Sequence, residues 1–115
     1  MTFPGIFALI VGGAMIGQWT LSYLNQRIPE LRDEPIRIVF HILAEMVTAA
    51  SLLVAGAGLL VGQAWARALY PVALGMLFYT CIVSPGYFAQ KGDWRWLILF
   101  TALIGGGLIG LSAVL

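Results

Sequence analysis

Four apolar segments of about 20 residues each take up almost the whole chain, and short polar loops separate them. Each segment is long enough to cross about 30 Å of hydrocarbon at about 1.5 Å per helical residue. Backbone groups in lipid must find hydrogen-bond partners within their own element, whereas a membrane barrel would show short alternating stretches. The segments are therefore predicted to be helices, at residues 3–23, 36–61, 68–88 and 96–115.

The composition excludes most soluble classes. Only 10% of the 115 residues are charged and 61% are hydrophobic, whereas a soluble domain is typically about 25% charged. A signal peptide is disfavoured because the first basic side chain, Arg27, follows the first apolar segment. Short loops make consecutive helices antiparallel. The sequence thus predicts an all-α fold, an integral membrane four-helix antiparallel bundle in which residues 1–115 form a single transmembrane domain.

The basic residues predict an orientation. The first and third loops carry five of them and the second loop carries one, Arg67; the five are Arg27, Arg32, Arg37, Lys91 and Arg95. Because basic loops stay in the cytoplasm, both termini are expected outside, in a bacterial or archaeal cell membrane. No basic stripe remains for binding nucleic acid. The expected partners are the lipid bilayer and either further copies of the chain or a larger membrane complex.

Aromatic residues and prolines mark the predicted helix ends. Tryptophan and tyrosine favour the membrane interfaces, which places Trp65 and Tyr70 at the outer one and four others at the cytoplasmic one: Trp19, Tyr23, Trp94 and Trp96. In the stretch SPGY at 84–87, Pro85 and Gly86 are expected to end the third helix. The alternative is a broken helix whose freed carbonyls line a polar cavity.

The stretch FHILAEMVTAAS contains the strongest site signal. His41 and Glu45 are four residues apart and, with Thr48, fall on one side of the second predicted helix, which is expected to face its neighbours. Glu45 would lie roughly 13 Å below the cytoplasmic surface. Polar side chains at similar depth on the first and third helices complete the candidate proton or ligand site: Gln18, Ser22, Thr80, Ser84 and Tyr87.

Three interpretations of this site remain open. A carboxyl group near mid-bilayer is costly when charged, so Glu45 with His41 as a relay suits a proton- or cation-coupled small-solute transporter acting as an oligomer. The alternative is a non-catalytic accessory or scaffold subunit tied together by these hydrogen bonds. A third reading is a haem, quinone or metal-binding protein, although ligands are few and neither cofactor nor metal is identified. No G-x-S-x-G, phosphate-loop or HExxH motif is present, so an enzyme is disfavoured.

Glycines spaced four apart predict close helix contacts. The pairs are Gly13 with Gly17, Gly58 with Gly62, and Gly106 with Gly110. Such spacing serves packing within a bundle or between protomers, and packing within the bundle is favoured here.

Size and span number resemble the small multidrug-resistance transporters, and the triplet LAE at 43–45 is similar to the surroundings of their membrane glutamate. In that family the glutamate belongs to the first helix, whereas Glu45 lies in the second predicted helix. The resemblance is therefore confined to size, span number and this triplet.

Overall fold

The computed structural model of the protein describes residues 2–26, 28, 30–90 and 92–115; for residues 30, 31, 87 and 88 it describes the backbone alone. The helices are α1 (Thr2–Leu24), α2 (Glu30–Asp33), α3 (Pro35–Leu60), α4 (Ala66–Gln90) and α5 (Arg95–Val114). No strand occurs within the described residues. The all-α prediction with four long helices is confirmed. All four long helices are long and apolar enough to cross a membrane; in α4 the segment that qualifies is Ala66–Gly86.

Local sequence signals set the limits of α3. Pro35 occupies the first turn, where its missing N–H is not needed. At the other end, Gly62 adopts a φ of +78°, and the Gln63 N–H donates to the carbonyl of Gly58 at 2.9 Å. This left-handed glycine closure turns the chain within five residues, 61–65, so that α4 begins at Ala66. Gly62, predicted to be a packing residue, has no atom within 4 Å of where a Cβ would lie.

The four long helices are arranged in a ring. α3 packs against α1 and α4, and α5 packs against α4 and α1, the contact between α1 and α5 being the smallest of the four. We call the half that contains residues 2–12, 49–60, 66–77 and 107–114 the closed end. Most of the buried apolar core lies there, including Ala8, Val11, Leu52, Ala55, Leu59, Tyr70, Ala73, Leu74, Leu77 and Val114.

The other half is packed much less closely. We call it the polar end, comprising residues 13–24, 35–48, 78–90 and 95–106. Among its described residues, only four are buried: Glu45, Thr48, Cys81 and Pro85. The apolar packing that stabilises the bundle is thus concentrated at one end, and the predicted site residues lie at the other.

Glycines allow close helix approach at the closed end. A Cβ on Gly12 would come within 2.9 Å of the Ala49 carbonyl oxygen, and one on Gly56 within 2.8 Å of that of Gly5. Neither Gly12 nor Gly56 belongs to the predicted packing pairs. Of the predicted glycines, Gly106 lies against Phe7, Gly110 against Tyr70 and Gly58 against Trp65 and Ala66, whereas Gly13 and Gly17 have no neighbour within 4 Å of an added Cβ.

Two sequence predictions about α4 are wrong. The helix does not end at Pro85 and Gly86 but continues to Gln90, with Pro85 buried. A proline removes one backbone donor, and apolar surroundings offer the following residues no better partners than the helix itself. Tyr70 was expected to face the outer interface, but it is fully buried in the bundle, and its hydroxyl donates to the Gly107 carbonyl at 3.5 Å. The glycines of α5 leave the space that its ring occupies.

The turn between α4 and α5 is held by Asp93. Its carboxylate accepts hydrogen bonds from Arg95, at 3.0 and 3.1 Å, and from the Trp96 indole N–H at 3.1 Å. The hydrogen bond and charge of Arg95 hold the pKa of Asp93 below its ordinary value. These contacts fix the start of α5 after a short turn.

Candidate functional site

Glu45 is the buried carboxylate at the centre of the site. It lies on the face of α3 that also carries Thr48, Ala49 and Leu52, all of which are buried. Residues three, four and seven positions apart share one helical face, which explains why this face turns towards the neighbouring helices. Only 7% of Glu45 remains exposed. Its carboxyl group is therefore covered by the protein itself.

Thr80 on α4 supplies the main hydrogen bond to this carboxylate. The Thr80 hydroxyl donates to Glu45 Oε1. One turn further along α4, Ser84 Oγ lies 3.1 Å from Thr80 Oγ1, and either hydroxyl can donate. A continuous line of oxygen atoms therefore runs from α3 to α4, through Glu45, Thr80 and Ser84.

His41 approaches the same carboxylate oxygen from α3. Its Nε2 atom lies 3.5 Å from Glu45 Oε1, and 40% of its side chain is exposed. The His41 ring also meets the Trp19 indole of α1 edge-on, with 5.7 Å between ring centroids and an interplanar angle of 66°. Trp19 was assigned only to the interface from sequence, because α1 offers no pattern that aligns it with His41.

The remaining predicted residues are not joined to this network. Gln18 and Ser22 hydrogen-bond each other at 3.4 Å along α1 and not to Glu45. Thr48 is buried beside Glu45, but its hydroxyl donates to the Ala44 carbonyl of its own helix at 2.8 Å. The side chain of Tyr87 lies outside the described residues. The structure thus brings together four predicted residues: His41, Glu45, Thr80 and Ser84.

A family model described as "Domain of unknown function (DUF8058)" matches residues 1–114. The chain belongs to this family. The match covers all five helices, so every member of the His41–Glu45–Thr80–Ser84 network lies inside the DUF8058 domain. No curated protein and no solved structure matches the chain.

The electrostatics of the DUF8058 site are unusual for a buried carboxylate. Among the described residues, neither lysine nor arginine pairs with Glu45. The guanidinium group of Arg37 pairs instead with the exposed Glu34, and that of Arg95 pairs with Asp93. No buried side-chain nitrogen or oxygen in the described part of the chain lacks a hydrogen bond. Within the same part, no three His, Cys, Asp or Glu side chains come together to hold a metal. Chemically, the site offers one acid, one imidazole and two hydroxyls.

Proposed function

We propose that this protein is an integral membrane transporter for a small solute and that Glu45 takes up and releases a proton during its cycle. The observation that carries the proposal is the kind of partner Glu45 has. A guanidinium beside a buried carboxylate would favour its ionised form throughout, whereas hydroxyls can donate or accept. The hydroxyl groups beside Glu45 can therefore form hydrogen bonds both with its carboxylate and with its protonated carboxyl group. A cation exchanged against the proton would fit the same site.

The membrane setting is supported by the outward-facing side chains. Large apolar residues project from every long helix, among them Ile10, Phe40, Val72, Ile98 and Ile109. So much apolar surface is a liability in water, but it suits hydrocarbon. We place the protein in a bacterial or archaeal cell membrane, with the polar end at the cytoplasmic side and both termini outside.

Cysteine labelling tests this orientation. Ala64 lies in the connection before α4 and Gln90 is the last residue of α4; both are exposed, at opposite ends of the bundle. With Ala64→Cys, we expect an impermeant maleimide to react from outside intact cells, and with Gln90→Cys only after the membrane is opened. The native Cys81 is buried and gives a low background. The reverse pattern would overturn the orientation while leaving the four spans in place.

In the described part of the chain, two surface cavities offer Glu45 no solute path. Two surface cavities lie at the closed end, lined by residues near the α3–α4 connection such as Leu59, Gly62, Gln63 and Arg67, away from Glu45. At the polar end, by contrast, only four of the described residues are buried. We therefore propose that transport is the work of an oligomer, in which a second copy completes the path beside His41 and Glu45.

The alternative is a non-catalytic accessory subunit of a membrane complex. It is favoured by the complete hydrogen bonding of the described buried polar atoms, which a purely structural network would also show. Against it stands the small contribution of such bonds in membranes, about 0.6 kcal/mol on average, which is a weak reason to keep an ionisable group in lipid.

A flux measurement separates the two functions. Purified protein in liposomes with an imposed pH gradient would be offered a panel of small cationic, anionic and neutral solutes, and internal pH would be followed. We expect at least one solute to dissipate the gradient faster than in protein-free liposomes. If no solute does so, with correctly inserted protein, the transporter proposal fails and the accessory-subunit function is favoured.

A further inference from the structure

We infer that Thr80 and Ser84 form a hydroxyl relay, which carries protons between Glu45 and the polar end in parallel with His41. The inference rests on the proposed proton exchange at Glu45 and adds a route and its direction. Its basis is the line of oxygen atoms on α4: the Thr80 hydroxyl touches Glu45 Oε1, and Ser84 Oγ is 3.1 Å beyond. That spacing is within ordinary hydrogen-bond range.

Counting the protons shows that the relay fits both states of Glu45. When Glu45 is ionised, Thr80 donates its proton to the carboxylate and must accept one from Ser84, since a hydroxyl has one proton. When Glu45 is protonated, its O–H donates to Thr80, and Thr80 donates to Ser84. Passing one proton along the line, from Glu45 towards Ser84 or back, interconverts the two patterns, and no heavy atom has to move. The same oxygen positions thus serve the acid and its conjugate base.

The transfer step balances along this line. The carboxyl O–H bond of Glu45 breaks as Thr80 Oγ1 gains that proton, Thr80 passes its own proton to Ser84 Oγ, and Ser84 releases one to water. Each hydroxyl loses one proton and gains one, so both hydroxyls stay neutral, while Glu45 is left as a carboxylate and the released proton carries the positive charge into water. Ser84 is only half-buried, which gives it access to the polar end.

The relay leads to one end only. His41 lies one turn before Glu45 on α3, and Ser84 one turn after Thr80 on α4; because consecutive helices α3 and α4 are antiparallel, both branches run towards the polar end. Towards the closed end, the next hydroxyl is that of Thr48, which donates its hydrogen bond to the Ala44 carbonyl. Beyond it lie buried apolar side chains, among them Leu52 and Leu77. Proton exchange in this conformation is therefore one-sided.

Few other titratable groups face Glu45. His41 is the partner on α3, and the buried thiol of Cys81 on α4 is near enough to interact electrostatically with it. The only titratable side chain in α1 is Tyr23, at its far end, and α5 makes no contact with α3. Among the described side chains, His41 is therefore the one competing route for proton exchange at Glu45.

The experiment removes the competing route first. His41→Phe keeps a ring beside Trp19, excludes water and cannot carry a proton. In lipid nanodiscs, a rapid pH jump would be followed through the infrared carbonyl band of protonated Glu45, identified by its absence in Glu45→Gln. We expect His41→Phe to retain exchange, and His41→Phe with Thr80→Val to exchange at least about tenfold more slowly, as for loss of a proton-transfer group.

Matched variants distinguish the relay from packing. In the His41→Phe background, Thr80→Ser should keep the fast rate, and Thr101→Val, the same change at an exposed threonine of α5, should have no effect. Ser84→Ala should also slow exchange, which covers the case in which Thr80→Val fails to fold. The relay is overturned if His41→Phe alone stops exchange, or if both hydroxyl losses leave the rate unchanged. The exchange experiment contains no solute and therefore tests the relay alone. If Glu45 exchanges protons in nanodiscs but no solute flux is found in liposomes, only the transporter proposal is refuted.

Discussion

Replacing Gly12 with alanine is expected to destabilise the bundle by about 1–3 kcal/mol, whereas the same change at Gly13 should be neutral or slightly stabilising. The two glycines are adjacent on α1, but Gly12 lies against α3 whereas Gly13 lies against no other part of the described structure. An added Cβ at Gly12 would lie 2.9 Å from the backbone oxygen of Ala49 and 3.0 Å from Leu53. Backbone cannot rotate away as a long side chain can, so α1 and α3 must separate. At Gly13 nothing lies within 4 Å.

The pair can be measured in one experiment. Reversible unfolding of both variants and the wild type in mixed micelles, titrated with a denaturing detergent, gives the difference in free energy of unfolding. Gly13→Ala reports the intrinsic gain in helix propensity, about 0.8–1.0 kcal/mol in soluble helices, and serves as the control. Equal stability of the two variants would mean that α1 and α3 do not approach as closely as described. A loss at Gly13 instead would place the glycine face of α1 against a second copy.

The all-helical fold and its four long helices could be predicted from sequence because hydropathy and length decide them. Loops of a few residues also imply antiparallel neighbours. What the pattern could not settle is which glycines carry the packing. Gly5 and Gly12 on α1, and Ala49 and Gly56 on α3, are spaced seven apart, whereas the predicted pairs were chosen at a spacing of four. Both spacings repeat on one helical face, and only the partner helix shows which face is covered.

The same reasoning explains the errors in α4. Pro85 and Gly86 are helix breakers in an exposed setting, but Pro85 is buried, and the helix continues through it. Tyr70 was placed at the interface by residue type, although the glycines of α5 make a site for its ring inside the bundle. In both cases the surroundings of the residue are set by a different helix. The sequence pattern of one segment carries no information about that neighbouring helix.

The centre of the site was easier to predict than its edges. His41 and Glu45 are one turn apart in a single helix, so their proximity follows from α-helical geometry alone. Thr80 and Ser84 were chosen by depth, which is a weaker criterion, and the same criterion selected Gln18 and Ser22, which pair only with each other. Depth gives the position of a residue along a helix but not the direction in which its side chain points. The contact between Thr80 and Glu45 could be found only once the orientation of α4 about its own axis, relative to α3, was known.

Glu45→Gln is expected to abolish proton-linked solute flux while preserving the fold. The amide has nearly the shape of the carboxylate and keeps an oxygen that can accept the Thr80 hydrogen bond, but it cannot take up or release a proton. Removing an ionisable group from an apolar site also lowers the cost of burial, so stability should be equal or higher. Coupling and packing therefore predict opposite results for function and the same result for stability, which makes flux the deciding measurement.

The matched control is Glu34→Gln, the same chemical change at an exposed glutamate that pairs with Arg37 before α3. Exposed ion pairs contribute at most about 1 kcal/mol, so this variant should transport like the wild type. Both variants and the wild type would be reconstituted at equal density, with helix content checked by circular dichroism, and pH-gradient dissipation followed with the solute found active for the wild type. Flux in Glu45→Gln equal to that of the wild type and of Glu34→Gln would refute the coupling role. Loss of flux in Glu45→Gln alone, with helix content and stability intact, would assign proton exchange to this one carboxyl group, because nothing else at the site has changed its shape.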